Sequence, residues 1–363
     1  MNGTATRRQR QPEVGPYTAV ILSSADEVRS LKPLLRSSMS TDDVLFDPEF
    51  YLSSLGRRGK PRVAAVYSGT ALIGVIYANL MTFSRYPVGI VHADLSLGAI
   101  LLGDTRGQVQ AFRTALKSLL DRPGTRGIRL RIPRAGPERA AVRQLIGSRK
   151  LDVHFRRIKE HAVLCLPNTY EQLLLSFGGT TRHNFRYYRR RFEHAGHAYV
   201  ENLSLDELRS AADYLRSRCT IPQKSGGIER ILRMVGVADR PLAVGLKHKN
   251  GEWLAVIGGV YRPTSGVLLL QLNNDRNFPR DSLSVVLRGY LIESLIRQGM
   301  REFIIWAGTS APLSRYAKYI HTLGVYLDFP NPSWRLTRRL VSILGPWLPQ
   351  DFRFTARWIA PFR

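Results

Sequence analysis

The sequence predicts an α/β fold made of two tandem modules of one kind, each a mixed, twisted sheet flanked by helices. Three observations predict it. A hairpin, a helix and a strand recur in the same order. Each hairpin turns at a glycine, Gly69 and Gly251, and each helix stops near a glycine, at Gly124 to Gly127 or at Gly299, with a short apolar strand just beyond. The first copy reads RVAAVYSGTALIGVIYANL, GDTRGQVQAFRTALKSLL and RGIRLRIP; the second reads PLAVGLKHKNGEWLAVIGGVY, VLLLQLNN, PRDSLSVVLRGYLIESLIRQG and REFIIWAG. A chain of 363 residues has room for two such domains, each able to bury a core without disulfides or metals.

Residues 1–16 read as a basic, polar tail without the apolar stretch of a secretion signal. The first domain is expected over 17–167. It holds a strand at 17–22, a helix near 26–36 behind a cap-like Ser-Ser-Ala-Asp, and a hairpin over 62–83. A helix at 107–120, a strand at 128–132, a helix at 136–147 and a strand at 160–166 complete it. Pro167 and Asn168 mark the boundary. The second domain, 168–330, opens with helices at 169–177, 180–194 and 204–217, the last announced by the capping box Ser204 to Glu207. Strands at 241–248, 253–261 and 267–273 follow, then helix 283–298, strand 302–306 and a last helix near 312–321.

After Asn331 the pattern changes to a basic, aromatic extension, 331–363, in which Trp334, Leu336, Leu340, Ile343, Leu344, Trp347 and Leu348 alternate with Arg335, Arg338 and Arg339. The preferred reading is a terminal helix that packs across the domain and shows arginine to water, because Pro346, Pro349 and Pro361 keep it short. An amphipathic helix lying on an anionic membrane is the alternative.

Composition excludes several classes. A formal charge of +26 draws the chain to polyanions such as RNA, anionic lipid or a phosphorylated cofactor, without choosing among them. Two cysteines, Cys165 and Cys219, give neither a disulfide framework nor zinc spacing, and both read as small buried apolar residues in a reducing, cytoplasmic setting. The histidines form no metal-ligand pattern with carboxylates, so no metal is expected. Neither a G-x-x-x-x-G-K-S/T loop nor a G-x-G-x-x-G after a strand is present. Gly103 and Gly107 read as turn residues before they read as a phosphate cradle.

The leading candidate site is the loop Asn273 to Ser284, between an apolar strand and an amphipathic helix. Arg276, Arg280, Ser282 and Ser284 gather at the helix start, where free main-chain amides and the positive helix end attract phosphate. Arginine grips a pyrophosphate with paired hydrogen bonds, and the serine hydroxyls cap the helix or donate to the same oxygens. A well-capped helix with surface arginines is the plain alternative. In TTRHNFRYYRRRFEHAG, residues 180–196, Phe185, Tyr188 and Phe192 form an apolar stripe beside Arg182, Arg186, Arg189 and Arg190. One face packs and the other meets anions or water.

These residues resemble the GNAT acyltransferases, and among them the tandem-domain branch that includes CelD-like proteins linked to cellulose biosynthesis and the Fem-type peptidoglycan aminoacyltransferases. The similarity covers about residues 17–330. It is carried by SFGGTTRHNFRYYRRRFEHAG and by the run from VLLLQLNN through RYAKYI. The resemblance implies an acyl-CoA, acetyl-CoA first, against strand 267–273, with its pyrophosphate at the start of helix 283–298 beside Arg276, Arg280, Ser282, Leu283 and Ser284. It implies a saccharide or amine acceptor, with Arg182, Arg186, Trp306 and Lys318 as candidate contacts. Acyl transfer also needs a base and an acid. Asp275, ahead of Glu302 and His183, is the candidate base and Tyr316 the candidate acid.

In the family the strand after this helix commonly ends in an aspartate before a glycine, with a later tyrosine-lysine pair. Here Ile305 replaces the aspartate, while Gly308, Tyr316 and Lys318 match. That departure leaves open a different acceptor or a lost activity. Two other functions follow: Fem-type transfer from charged tRNA, which the charge favours although no heptad arm is present, and a basic binding module without catalysis. The expected location is cytoplasmic, with peripheral contact at the inner face of the plasma membrane.

Overall fold

Alternating apolar runs form fifteen strands among the described residues, and these gather into two sheets. The computed structural model describes residues 17–38, 43–56, 59–83, 86–94, 99–101, 105–219, 225–306 and 313–348, together with 353, 356, 359 and 360. The strands are β1 (Tyr17–Leu22), β2 (Gly59–Pro61), β3 (Val63–Ser68), β4 (Ala71–Ile76), β5 (Ala78–Phe83), β6 (Tyr86–Asp94), β7 (Ala99–Leu101), β8 (Gly127–Pro133), β9 (Asp152–Cys165), β10 (Ala198–Val200), β11 (Pro241–Lys247), β12 (Trp253–Tyr261), β13 (Ser265–Asn273), β14 (Glu302–Ile305) and β15 (Lys318–Asp328). The helices are α1 (Ala25–Arg29), α2 (Leu31–Ser38), α3 (Pro48–Ser54), α4 (Thr105–Asp121), α5 (Pro137–Ser148), α6 (Tyr170–Ser176), α7 (Gly179–His194), α8 (Leu205–Arg216), α9 (Ser225–Gly236), α10 (Leu283–Arg297) and α11 (Pro332–Leu344).

One sheet has eleven strands in the order β10-β11-β12-β13-β14-β9-β15-β8-β6-β5-β2, and the other has four, β1-β3-β4-β7. The expected repeat is present and more regular than the sequence suggests. β6 and β8 run parallel with α4 as their crossover, and β13 and β14 run parallel with α10 as theirs. β6 is the strand that the first copy lacked on paper: Pro87 and Gly89 disguise it as a loop, and Gly89 does take a positive φ of 76°.

β9 and β15 join the two halves. Residues 162–165 of β9 pair with β14, while residues 152–163 pair with β15, and β15 in turn pairs with β8 through Thr322–Asp328. The expected helix at 312–321 is therefore a correction. A single 3-10 turn, Leu313–Arg315, precedes the long strand β15. Leu313, Tyr316, Ala317 and Ile320 mimic helical spacing, but pairing with two neighbouring strands decides the outcome. The helix near 26–36 is also corrected, to two pieces that break at Ser30. The Ser204–Glu207 capping box forms as expected. Cys219 is buried, whereas Cys165 is exposed, contrary to expectation.

Helices α6, α7 and α10 pack on one face of the second half of the large sheet, and α8 and α9 on the other. Helices α4 and α5 cover the first half, and α1 to α3 close the small sheet. The ladder between β12 and β13 shifts register between Gly258 and Gly259. A Cβ on Gly259 would press on the Val267 carbonyl across the ladder, which as main chain cannot rotate away. Gly259→Val is expected to cost about 1–3 kcal/mol or more, read as a lower urea midpoint. A change below about 0.5 kcal/mol, the range of an ordinary surface substitution, would show that the strands move apart freely.

Candidate functional site

The two parallel strands of the second repeat run together only briefly. Ser265–Leu268 of β13 pair with Glu302–Ile305 of β14, and the Trp306 amide donates to the Leu268 carbonyl at 3.0 Å. β13 continues to Asn273, beyond the end of β14. The register shift also resets the alternation of β13: Leu268 belongs to the core beneath α10, whereas Leu270 and Leu272 belong to the core under α8 and α9. Gln271 and Asn273 consequently fall on the α10 side.

Those two side chains start a polar chain along the free end of β13. Arg288 Nε donates to Gln271 Oε1 at 2.7 Å, Gln271 Nε2 donates to Asn273 Oδ1 at 3.2 Å, and Asn273 hydrogen-bonds the Asp275 carboxylate. Arg288 is buried, and burial pushes its guanidinium down to about 10, so it stays cationic at neutral pH. Burial raises the Asp275 carboxyl above its ordinary range, against a smaller downward pull from Asn273. Next to Asp275, Asn274 is only 1% exposed and its side-chain oxygen Oδ1 has no hydrogen-bond partner. A buried acceptor in that state stands out, because most such atoms are satisfied.

The start of α10 has a second irregularity. Ser282, the N-cap, takes φ 44° and ψ 47°, a left-handed conformation uncommon outside glycine, and its hydroxyl makes no capping bond. Its carbonyl accepts from the Val285 and Val286 amides, so the helix begins abruptly. The amides of Leu283 and Ser284 sit at the positive helix end. Asp281 precedes the cap, and Arg191 of α7 holds its carboxylate at 2.9 Å.

The other sequence-predicted residues are distributed as follows. Arg280 is exposed two residues before the cap. Arg276 is exposed too, but its Nη1 donates to the Ser217 carbonyl at 3.0 Å and its amide to the Arg218 carbonyl at 3.3 Å, at the end of α8. The Leu283 side chain lies in the core, leaving its main-chain amide for an anion, and Ser284 is half-buried. Glu302 pairs with Ser265, at the opposite end of β13 from Asp275, about 30 Å away for an extended strand. Ile305 is fully buried in β14. Gly103 and Gly308 lie outside the described residues, and Gly107 sits in the first turn of α4.

Tyr316 is bound to the start of α7. Its hydroxyl accepts from the Gly178 amide at 2.7 Å, lies 3.4 Å from Thr181 Oγ1, and its ring packs on Phe177 at 4.5 Å. The Thr181 hydroxyl and then the Gly178 amide lower the phenol below its ordinary value by favouring phenolate. Asp275 and Tyr316 thus hang on different elements, the end of β13 and the approach to β15. Trp306 follows Ile304 in facing the α8–α9 core, away from α10, and touches His161 edge to face. Lys318 opens β15 as an exposed residue opposite Val163.

Arg182 and Arg186 line a groove of about 620 Å³ along α7, with His183, Tyr187, Arg190 and Arg191. Arg186 is paired with Glu171 at 2.5 Å, and His183 stacks on Tyr187. Helix α7 packs closely on α10 because Gly289 has no side chain there: a Cβ would meet the Tyr170 hydroxyl at 3.1 Å and Phe185 at 3.3 Å. Arg191 belongs to this groove and to the start of α10 at once, so the basic face and the helix terminus are neighbours. Among the described residues no group of three His, Cys, Asp or Glu side chains is placed to hold a metal ion.

Sequence reasoning missed Arg288 and Gln271, and it placed Asn273 only at the edge of the candidate loop without a role. Gln271 and Asn273 left a signal, since they interrupt the apolar run VLLLQLNN at a spacing of two. Arg288 left none, because on a helix read as amphipathic it counts as solvent-facing, whereas α10 is buried nearly all round.

No family model matches the chain, and no curated protein matches it. Solved structures do. FemX superposes with a TM-score of 0.60 at 11% identity, covering 88% of this chain and 99% of that one. The C-terminal domain of a lysylphosphatidylglycerol synthetase from Agrobacterium fabrum gives 0.53 at 12% identity, covering 85% and 93%. L-PGS from Bacillus licheniformis gives 0.52 at 15% identity, covering 85% and 93%. The chain has their fold, two tandem GNAT-like domains built on a mixed sheet flanked by helices.

Proposed function

We propose that the chain is an acyltransferase that moves an acyl group from acyl-CoA, acetyl-CoA first, to a saccharide or amine acceptor. The observation that carries this reading is the free end of β13, tied to α10 through Gln271 and Arg288, together with the uncapped, left-handed start of that helix. The residues there suit a thioester carrier. Arg280, the amides of Leu283 and Ser284 and the Ser284 hydroxyl would hold the pyrophosphate, and the unsatisfied Asn274 oxygen offers an acceptor nearby.

In this reaction the acceptor attacks the thioester carbonyl, its carbon–sulfur bond breaks, and the acceptor loses a proton while the thiolate gains one. Asp275 takes the first proton, helped by its raised pKa, and Tyr316 supplies the second, helped by its lowered one. Arg288 fixes Gln271 and Asn273, and through them the orientation of Asp275. The basic groove on α7, with Arg182 and Arg186, would receive an acidic acceptor.

The second reading is transfer from an aminoacyl-tRNA. The likeness to FemX and the arginine-lined groove favour it. Isothermal titration separates the two. Acetyl-CoA or a longer acyl-CoA is expected to bind, and Arg280→Ala to weaken that binding about tenfold or more, the contribution of a charge-assisted contact. No heat with any acyl-CoA, beside salt-sensitive binding of tRNA, would transfer the assignment to the aminoacyl reading.

A further inference from the structure

The outermost helix is mounted the wrong way round for a soluble surface. The sequence led us to expect α11 to pack its apolar side on the domain and show arginine to water. The structure reverses this. Asn331 caps the helix by accepting from the Ser333 and Trp334 amides at 3.0 and 3.3 Å, and the side facing the protein is held by polar bonds. Trp334 Nε1 donates to Asp328 Oδ1 at 3.1 Å, Arg338 donates to Asp328 Oδ2 at 2.6 Å, and Arg335 makes two 2.6 Å bonds to Asp152.

The apolar side chains point out instead. Leu336, Leu340, Ile343 and Leu344 are 60%, 49%, 60% and 52% exposed, and Trp347, just past the helix, is 84% exposed. At 100° per residue these positions share an arc of about 100°, opposite Trp334 and Arg338. Arg335 and Arg339 border that arc on one side. A contiguous apolar stripe of this kind is rare on a soluble surface unless something covers it.

We propose that α11 lies in the plane of an anionic lipid surface, with Leu336, Leu340, Ile343, Leu344 and Trp347 entering the boundary between headgroups and acyl chains and arginine meeting the phosphates. Charge complementarity selects this occupant. A second copy of a chain with a formal charge of +26 would bring its own exposed Arg339 to the same seam, where like charges repel, whereas an anionic surface gains from it. Among the described residues no helix is long and apolar enough to cross a membrane. This inference is independent of the transfer reaction.

Flotation of the full chain with vesicles tests it. Vesicles of phosphatidylcholine with about 30% phosphatidylglycerol are expected to carry the protein, and pure phosphatidylcholine to carry much less. The triple variant Leu340→Ser, Ile343→Ser, Trp347→Ser leaves the charge unchanged and touches only exposed side chains. Its partition into the anionic vesicles is expected to fall at least about tenfold, with circular dichroism and acyl-CoA titration unchanged. Equal partition of the variant would show that bulk charge alone binds lipid, and would overturn the proposal. So would failure of the unaltered chain to float, or a dimer in sedimentation that the variant dissolves without any vesicle binding.

Discussion

Asp328→Ala is expected to destabilise the protein by about 3–5 kcal/mol, the cost of leaving buried charge without its partner. Asp328 is fully buried at the end of β15. Arg129, 2% exposed, lies 2.8 Å from Oδ1, Trp334 donates to the same oxygen, and Arg338 donates to Oδ2. Arg129 also stacks over Tyr326 at 4.8 Å and donates to the Ile359 carbonyl at 3.1 Å. Removing one carboxylate therefore takes the counter-charge from Arg129 and Arg338 and the acceptor from the Trp334 indole N–H, at the point where β8, β15, α11 and Ile359 meet. Because the eleven-stranded sheet is continuous, the loss is expected to appear as one cooperative shift of the urea midpoint. A change under about 1 kcal/mol, the range of a surface ion pair, would mean that water reaches the cluster.

Asp275→Asn is expected to lower kcat/KM with acyl-CoA by about 10²–10⁴, the usual contribution of a positioned base. Its pH dependence is the sharper readout. Burial raises this carboxyl, so on the proposed mechanism Asp275 accepts a proton only above that raised value. The acid limb of kcat/KM should then lie above the ordinary aspartate midpoint of about 3.9 and vanish in the asparagine variant. Arg288→Met should move the same limb while leaving the chain folded, because Arg288 acts on Asp275 through Gln271 and Asn273. A variant with unchanged rate and unchanged limb would remove Asp275 from the reaction.

Much of the fold was legible because local signals agreed with the tertiary outcome. β11, β12 and β13 are apolar runs closed by a glycine turn, and α8 carries its capping box in the sequence. What stayed hidden depends on partners distant in sequence. β15 is a strand because β8 and β9 pair with it, and nothing local in Tyr316 to Ile320 records that. The orientation of α11 is set by Asp328 and Asp152, so its helical period was visible while its facing was not. A candidate phosphate loop could be proposed from residue types alone, whereas the buried Arg288 could not, since only the near-complete burial of α10 turns a routine arginine into part of the candidate site.

The sharing of β9 and β15 also bears on how the chain is born. As the ribosome releases the first half, residues 152–161 of β9 have no strand partner until β15 follows, roughly 160 residues later, and one edge of β8 waits somewhat longer. At about 5–20 residues per second that is a wait of about 8–30 s. During it an unsatisfied strand edge is open to pairing with other nascent chains, so yield in the cell should respond more to elongation speed and chaperone supply than to the stability of the finished molecule.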